Sequence, residues 1–194
     1  GTMTLTSGAG TSSFNQQGFV FTLNDAYSQA GGVYNGSTNT TNFDWTFALS
    51  GGTFNATSGT TFVASTFTIS GTGDFVPGSG TLTFDGGTAN INGGGETFNN
   101  VTFAQAGNGA VKTISNNFTV MGTLTQSTTS GVTQSTVADA SPRTIFLGGN
   151  FSITAMTFGN ANLTLSIMGD ATHSLSQTGG TFSTNLLMDN SGET

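Results

Sequence analysis

Cysteine is absent from the sequence, which excludes disulfides, thiolate metal sites and cysteine nucleophiles. Basic residues are almost absent too: Lys112 and Arg143 stand against nine acids, for a formal charge of −7. Binding to nucleic acid needs cations that displace counterions from phosphates, and two of them make no basic footprint. Charged residues of every kind reach only 6%, where about a quarter is usual. The residues that build helices are therefore scarce, and the Gly, Thr, Ser and Asn that replace them are poor in helix interiors. Pro77 and Pro142 are the two prolines, both between patterned segments, where a missing N–H breaks no ladder. No apolar run approaches the roughly 20 residues of a membrane-spanning helix, so membrane insertion of that kind is not expected.

What is present points to strands. Gly, Thr, Ser and Asn account for 107 of the 194 residues, yet 17 Phe and 34% hydrophobic residues argue against disorder. Apolar and polar residues alternate in short bursts: TMTLT (2–6), FVFTL (19–23), DWTFAL (44–49), TFTIS (66–70) and TLTF (81–84). Later come NVTF (100–103), NFTVMGTLT (117–125), TIFL (144–147), FSIT (151–154) and NLTLSI (162–167). Each reads as a strand with one apolar face, bounded by Gly-rich breaks. The expected class is all-β.

A degenerate repeat organises the chain. Gly73-Asp74-Phe75 returns as Gly149-Asn150-Phe151, and Gly94-Gly95-Glu96-Thr97-Phe98 as Gly179-Gly180-Thr181-Phe182, each set with an alternating strand between. The order predicts that Phe75, Phe98, Phe151 and Phe182 are buried at equivalent places. Short-strand repeats mark stacked architectures, in which one unit cannot cover its own apolar face. The runs GSGTLTFDGGTANINGGGETFNNVTF (78–103), ISNNFTVMGTLTQ (114–126) and TIFLGGNF (144–151) resemble the repeats of large secreted bacterial surface proteins of the filamentous-haemagglutinin and autotransporter-adhesin kind. That resemblance implies a parallel β-solenoid at the cell surface, and it transfers no catalytic residue. It covers about 73–194 and departs at 24–42, a Tyr- and Asn-rich stretch read as an insertion.

The expected organisation is one solenoid domain over 1–194, with divergent coils over 1–72, a repeat unit over 73–148 and a partial unit over 149–194. Turns of ~20 residues would give about ten coils stacked at ~4.8 Å. A β-sandwich is the alternative, since short strands with frequent turns suit it as well.

Candidate chemistry is sparse. The acids Asp74, Asp85 and Glu96 could line neighbouring coils as a glycosidase pair, but each sits beside Gly or in a turn-like setting where acids are common. Asp25, Asp44, Asp139, Asp170, Asp189 and Glu193 form no motif. His173 stands alone, without a nucleophile elbow or a set of metal ligands, and reads as an exposed strand residue. GTGD (71–74) is an isolated fragment of a calcium repeat, and Gly93-Gly94-Gly95 lacks the lysine and helix of a phosphate loop. Sequons at Asn35, Asn39, Asn55, Asn100, Asn117, Asn150 and Asn162 are expected by chance in so Asn- and Thr-rich a chain. Thr-x-Thr pairs at 2/4, 4/6, 66/68, 81/83 and 123/125 would serve ice binding if they recurred at one place in successive coils, and their spacing is irregular. Tyr27, Tyr34 and Trp45 are the candidate glycan contacts, by ring stacking with Asn hydrogen bonds, although Trp45 within DWTFAL also fits a core position.

These observations lead to an expectation of a non-enzymatic structural segment of an extracellular or cell-surface protein, a rod, stalk or self-stacking fibre subunit without cofactor or metal. Its expected partners are flanking repeats or other copies, end to end, because neither end shows a capping pattern. A carbohydrate-binding adhesin or phage-fibre-like module is the alternative, and a polysaccharide-degrading β-helix enzyme the third.

Overall fold

The computed structural model describes residues 1–6, 12–105, 109–128, 135–169 and 171–189. Among them there is no helix, and the strands form a parallel β-solenoid of about eight turns. Three sheets run along it: sheet A with ten strands, sheet B with eight and sheet C with five. Strand pairing is parallel in all three, from Met3↔Tyr27 near one end to Leu165↔Leu186 near the other. A sandwich would be built on antiparallel pairs, so the solenoid stands.

The first turns are the most regular. Strands Tyr27–Asn35, Phe47–Asn55 and Phe67–Val76 follow one another in sheet A, each bending part-way and serving two sides of the cross-section. The bend falls at glycine: Gly32 and Gly52 have φ of 69° and 77°, a region that side chains with a Cβ rarely adopt. A Cβ on Gly52 would lie 2.3 Å from the Gly32 carbonyl oxygen. From Ala89–Asn92 onward the second side becomes a separate strand, and sheet C starts with Thr97–Phe98.

The stretch 24–42 is therefore not an insertion. It is one turn of a regular period in which Tyr27 pairs with Phe47 and Phe47 with Phe67, while Tyr34 pairs with Phe54. Its Tyr and Asn content disguises the period, because Tyr stands where later turns have Phe. Later turns vary in length: the step from Leu82 to its partner Val101 is shorter than that from Leu124 to its partner Phe151. Extra residues are absorbed at corners, which reduces the number of turns from the expected ten to about eight.

Apolar side chains at alternate positions of all three sheets fill the interior. Tyr27, Phe47 and Phe67 stack with centroids 5.2 and 4.9 Å apart, and Tyr34, Phe54 and Phe75 with 4.3 and 5.4 Å. Phe75, Phe98 and Phe151 are buried and Phe182 partly so. Their expected equivalence is corrected. Phe75 lies in sheet A opposite Phe54, Phe98 in sheet C opposite Val120, Phe151 in sheet B opposite Leu124, and Phe182 in sheet A opposite Phe158. The Gly-x-Phe and Gly-Gly matches repeat a corner-then-strand pattern that each side of a turn uses, so they align different sides of the solenoid.

Candidate functional site

The expected aromatic cluster is split by the fold. Tyr27 and Tyr34 occupy inward positions and are fully buried, so neither can stack on a sugar. The Tyr27 hydroxyl donates to Gln29 Oε1 at 2.7 Å, and Gln29 Nε2 donates to the carbonyls of Gly32 and Thr53 at 3.1 and 3.0 Å. Tyr34 shares a 3.1 Å hydroxyl bond with Thr41, whose own hydroxyl donates to Gln16 Oε1 at 3.0 Å. Burial pushes both phenols up, Tyr34 to about 12. They are satisfied core residues.

Trp45 is the reverse case. The core reading of DWTFAL begins one step too early: inward alternation starts at Phe47, and Trp45 falls on the corner before it, 59% exposed. Beside it Asn42 Nδ2 donates to Asp44 Oδ1 at 2.7 Å. This corner is the remaining part of the predicted glycan contact.

Of the three highlighted acids, Asp74 and Glu96 are near enough for their charges to interact. Burial raises the Glu96 carboxyl, and the Asp74 charge on the neighbouring turn raises it further. Asp85 sits at another corner, so the three do not converge. Among the described residues no three of His, Asp and Glu gather as a metal site. Asp139 is committed to Arg143, which donates from Nε and an Nη at 2.9 and 2.7 Å. Asp170, Glu193 and the Asp189 side chain lie outside the described residues. GTGD falls within strand Phe67–Val76, and Gly93-Gly94-Gly95 forms the turn between strands Ala89–Asn92 and Thr97–Phe98, with no helix after it.

His173 is not on a strand. It is half-buried just before strand Leu175–Gln177, with Nδ1 2.8 Å from the Gly149 carbonyl oxygen and Nε2 buried without a partner.

Sequence reasoning passed over Lys112. It lies fully buried in an inward column between Ala89 and Thr136, and Nζ donates to the carbonyls of Gly86 and Gly87 at 3.1 and 2.6 Å. Burial lowers its pKa to about 8, and the Asp85 charge partly opposes that shift. Asp85 is raised, chiefly by burial, and its Oδ1 is buried without a partner. The available signal was parity: Lys112 shares the inward phase of Ile114.

The chain matches no protein-family model, no curated protein and no solved structure. Function is therefore read from the solenoid itself.

Proposed function

We propose that the chain is a structural, non-enzymatic segment of an extracellular or cell-surface protein, a solenoid rod or stalk extended by further turns or by another copy. The observation that carries this reading is the apolar face of the last described turn. Leu175 and Leu186 are 44% and 46% exposed there. With Phe151, Ile153 and Phe182 they line a cavity of about 180 Å³. Strands Leu175–Gln177, Thr181–Phe182 and Asn185–Asp189 also leave three sheet edges unpaired among the described residues. Another turn, stacked in parallel, would cover the apolar side chains and pair the edges, as each internal turn does for its neighbour.

Light scattering over a concentration series, with negative-stain imaging, tests the reading. Rods that lengthen end to end with concentration, and that Leu186→Asp shortens to single units, are expected. A strict monomer at every concentration would overturn it for the isolated chain.

The glycan-binding alternative is favoured by one observation, the exposed Trp45 beside the Asn42–Asp44 pair. Trp45 is the sole tryptophan, so its fluorescence reports directly on added neutral oligosaccharides. An unchanged emission across xylohexaose and cellohexaose titrations would remove those sugars as ligands.

A further inference from the structure

The three-glycine corner between strands Ala89–Asn92 and Thr97–Phe98 opens on an Asn-Gly step, Asn92-Gly93. Such a step is reactive because glycine has no side chain to keep its peptide nitrogen away from the asparagine carboxamide. The sequence holds two more: Asn35-Gly36, at the end of strand Tyr27–Asn35, and Asn108-Gly109, of which Asn108 lies outside the described residues. As sequence the steps are alike, and the fold treats the two described ones differently.

Asn35 is held on both sides. It pairs with Asn15 on the preceding turn and with Asn55 on the following one. Its Nδ2 donates to Asn15 Oδ1, and its Oδ1 accepts from Asn55 Nδ2, both at 2.7 Å. The Gly36 N–H donates to the Asn55 carbonyl oxygen at 2.8 Å. Carboxamide and peptide nitrogen are both committed, and these bonds would have to break before the two could meet.

Asn92 is paired on one side only. Its ladder partner is Thr68 of the preceding turn, while toward the following turn the pairing stops at Ile91↔Ile114. Asn92 Oδ1 accepts the Gly94 N–H at 3.0 Å, which curls the carboxamide back over the Gly93 peptide. No described residue accepts a hydrogen bond from Asn92 Nδ2 or from the Gly93 N–H. Gly93 is buried against Phe118, and water reaches the step from the side of Gly94 and Gly95, which are exposed.

We propose that Asn92 is a site of spontaneous covalent modification, converted through a cyclic imide with Gly93 to aspartate and isoaspartate, and that the fold protects Asn35 from the same reaction. The Gly93 peptide nitrogen gives up its proton to water and attacks Asn92 Cγ. A nitrogen–Cγ bond forms, the Cγ–Nδ2 bond breaks, and Nδ2 leaves as ammonia with a proton from solvent. One water then opens the ring. Attack at Cγ gives aspartate, and attack at the Asn92 main-chain carbonyl gives isoaspartate, whose main chain runs through Cβ. The sum is one water consumed and one ammonia released. Either product adds a carboxylate to the turn of Glu96, whose carboxyl the Asp74 charge already raises. Isoaspartate also lengthens the main chain at the corner where sheet C begins.

The 194-residue chain, incubated at pH 8 beside a sample unfolded in urea, tests the assignment. Incubation runs until both Asn35 and Asn92 have converted in urea. Peptic peptides are then read by mass spectrometry, with electron-transfer fragmentation separating isoaspartate from aspartate. In urea the two steps are expected to convert at similar rates. In the folded chain Asn92 is expected to convert at least about ten-fold faster than Asn35, because the Asn35 step must first open locally. An unmodified Asn92 in the folded chain overturns the proposal, and so does folded conversion of Asn35 as fast as that of Asn92.

Discussion

Tyr34 and Phe54, on successive turns, lie face to face with ring centroids 4.3 Å apart and planes 9° from parallel. The pair is the centre of a column that continues to Phe14 at 5.3 Å on one side and Phe75 at 5.4 Å on the other. Truncating its middle removes contacts with both neighbours and leaves a void that the stiff turns cannot close. Phe54→Ala is expected to cost about 3–5 kcal/mol in urea unfolding, and Phe98→Ala, also buried, a similar amount. Trp45→Ala, on its exposed corner, is expected to stay within about 0.5 kcal/mol. A loss below about 1 kcal/mol for either Phe would show that these rings are not in packed columns.

A second ladder runs outside the core. Asn35 Nδ2 donates to Asn15 Oδ1, and Asn55 Nδ2 donates to Asn35 Oδ1, both at 2.7 Å. Asn35 is engaged on both sides and Asn15 on one. Asn35→Ala is therefore expected to cost about 1–2 kcal/mol, and Asn15→Ala roughly half of that. Equal effects in denaturant titrations of the two variants would mean that the amides contribute little.

Lys112 gives stability a dependence on pH. Its pKa falls from 10.5 unfolded to about 8 folded, so the folded state binds the proton less tightly. Below pH 8 both states are protonated and the folded state carries the full cost of a buried cation, up to about 3 kcal/mol. As pH rises from 8 to 10.5 the folded amine is neutral while the unfolded one still binds a proton, so that cost is progressively relieved. The raised phenols of Tyr27 and Tyr34 act the other way above pH 10, where the unfolded chain ionises first. Comparison with Lys112→Met separates the two effects. The variant is expected to be more stable than the parent at pH 7, with the gap narrowing toward pH 10.5. A gap independent of pH would mean that Lys112 does not titrate in this range.

How much of this was legible follows from what alternation encodes. Period-2 bursts such as TLTF and NLTLSI located strands and their inward faces, and scarcity of helix formers removed helices. Which strand lies beside which depends on corner lengths, and those vary too much for a degenerate motif to count. Phe75 and Phe151 were aligned by their Gly-x-Phe context although they belong to different sides. The same weakness concealed the regular period through Tyr27 and Tyr34, where Tyr replaces Phe. Corners also end an alternation without warning. Trp45 shares the phase of the inward Phe47 and Leu49 but lies on the corner before their strand and is exposed, whereas Lys112 is a charged residue carried inward by its phase.

The bend that lets one strand serve two sides rests on glycine, and this can be measured at a single position. Gly52 has φ of 77°, and the carbonyl oxygen of Gly32 on the preceding turn occupies the place where a Cβ would go, 2.3 Å from it. An alanine there must either leave the left-handed region or push the two turns apart, and both disturb the ladder between Tyr27–Asn35 and Phe47–Asn55. Left-handed backbone alone costs an L residue roughly 1–2 kcal/mol, and the carbonyl clash adds to it. Gly52→Ala is expected to destabilise the solenoid by more than about 2 kcal/mol. Gly87 provides the contrast, since no atom lies within 4 Å of the place its Cβ would take and its φ is not in the left-handed region. Gly87→Ala should be neutral or gain up to about 1 kcal/mol by restricting the unfolded chain. Thermal unfolding of the two variants side by side checks the argument, and a Gly52→Ala protein as stable as Gly87→Ala would refute the role given to the bend.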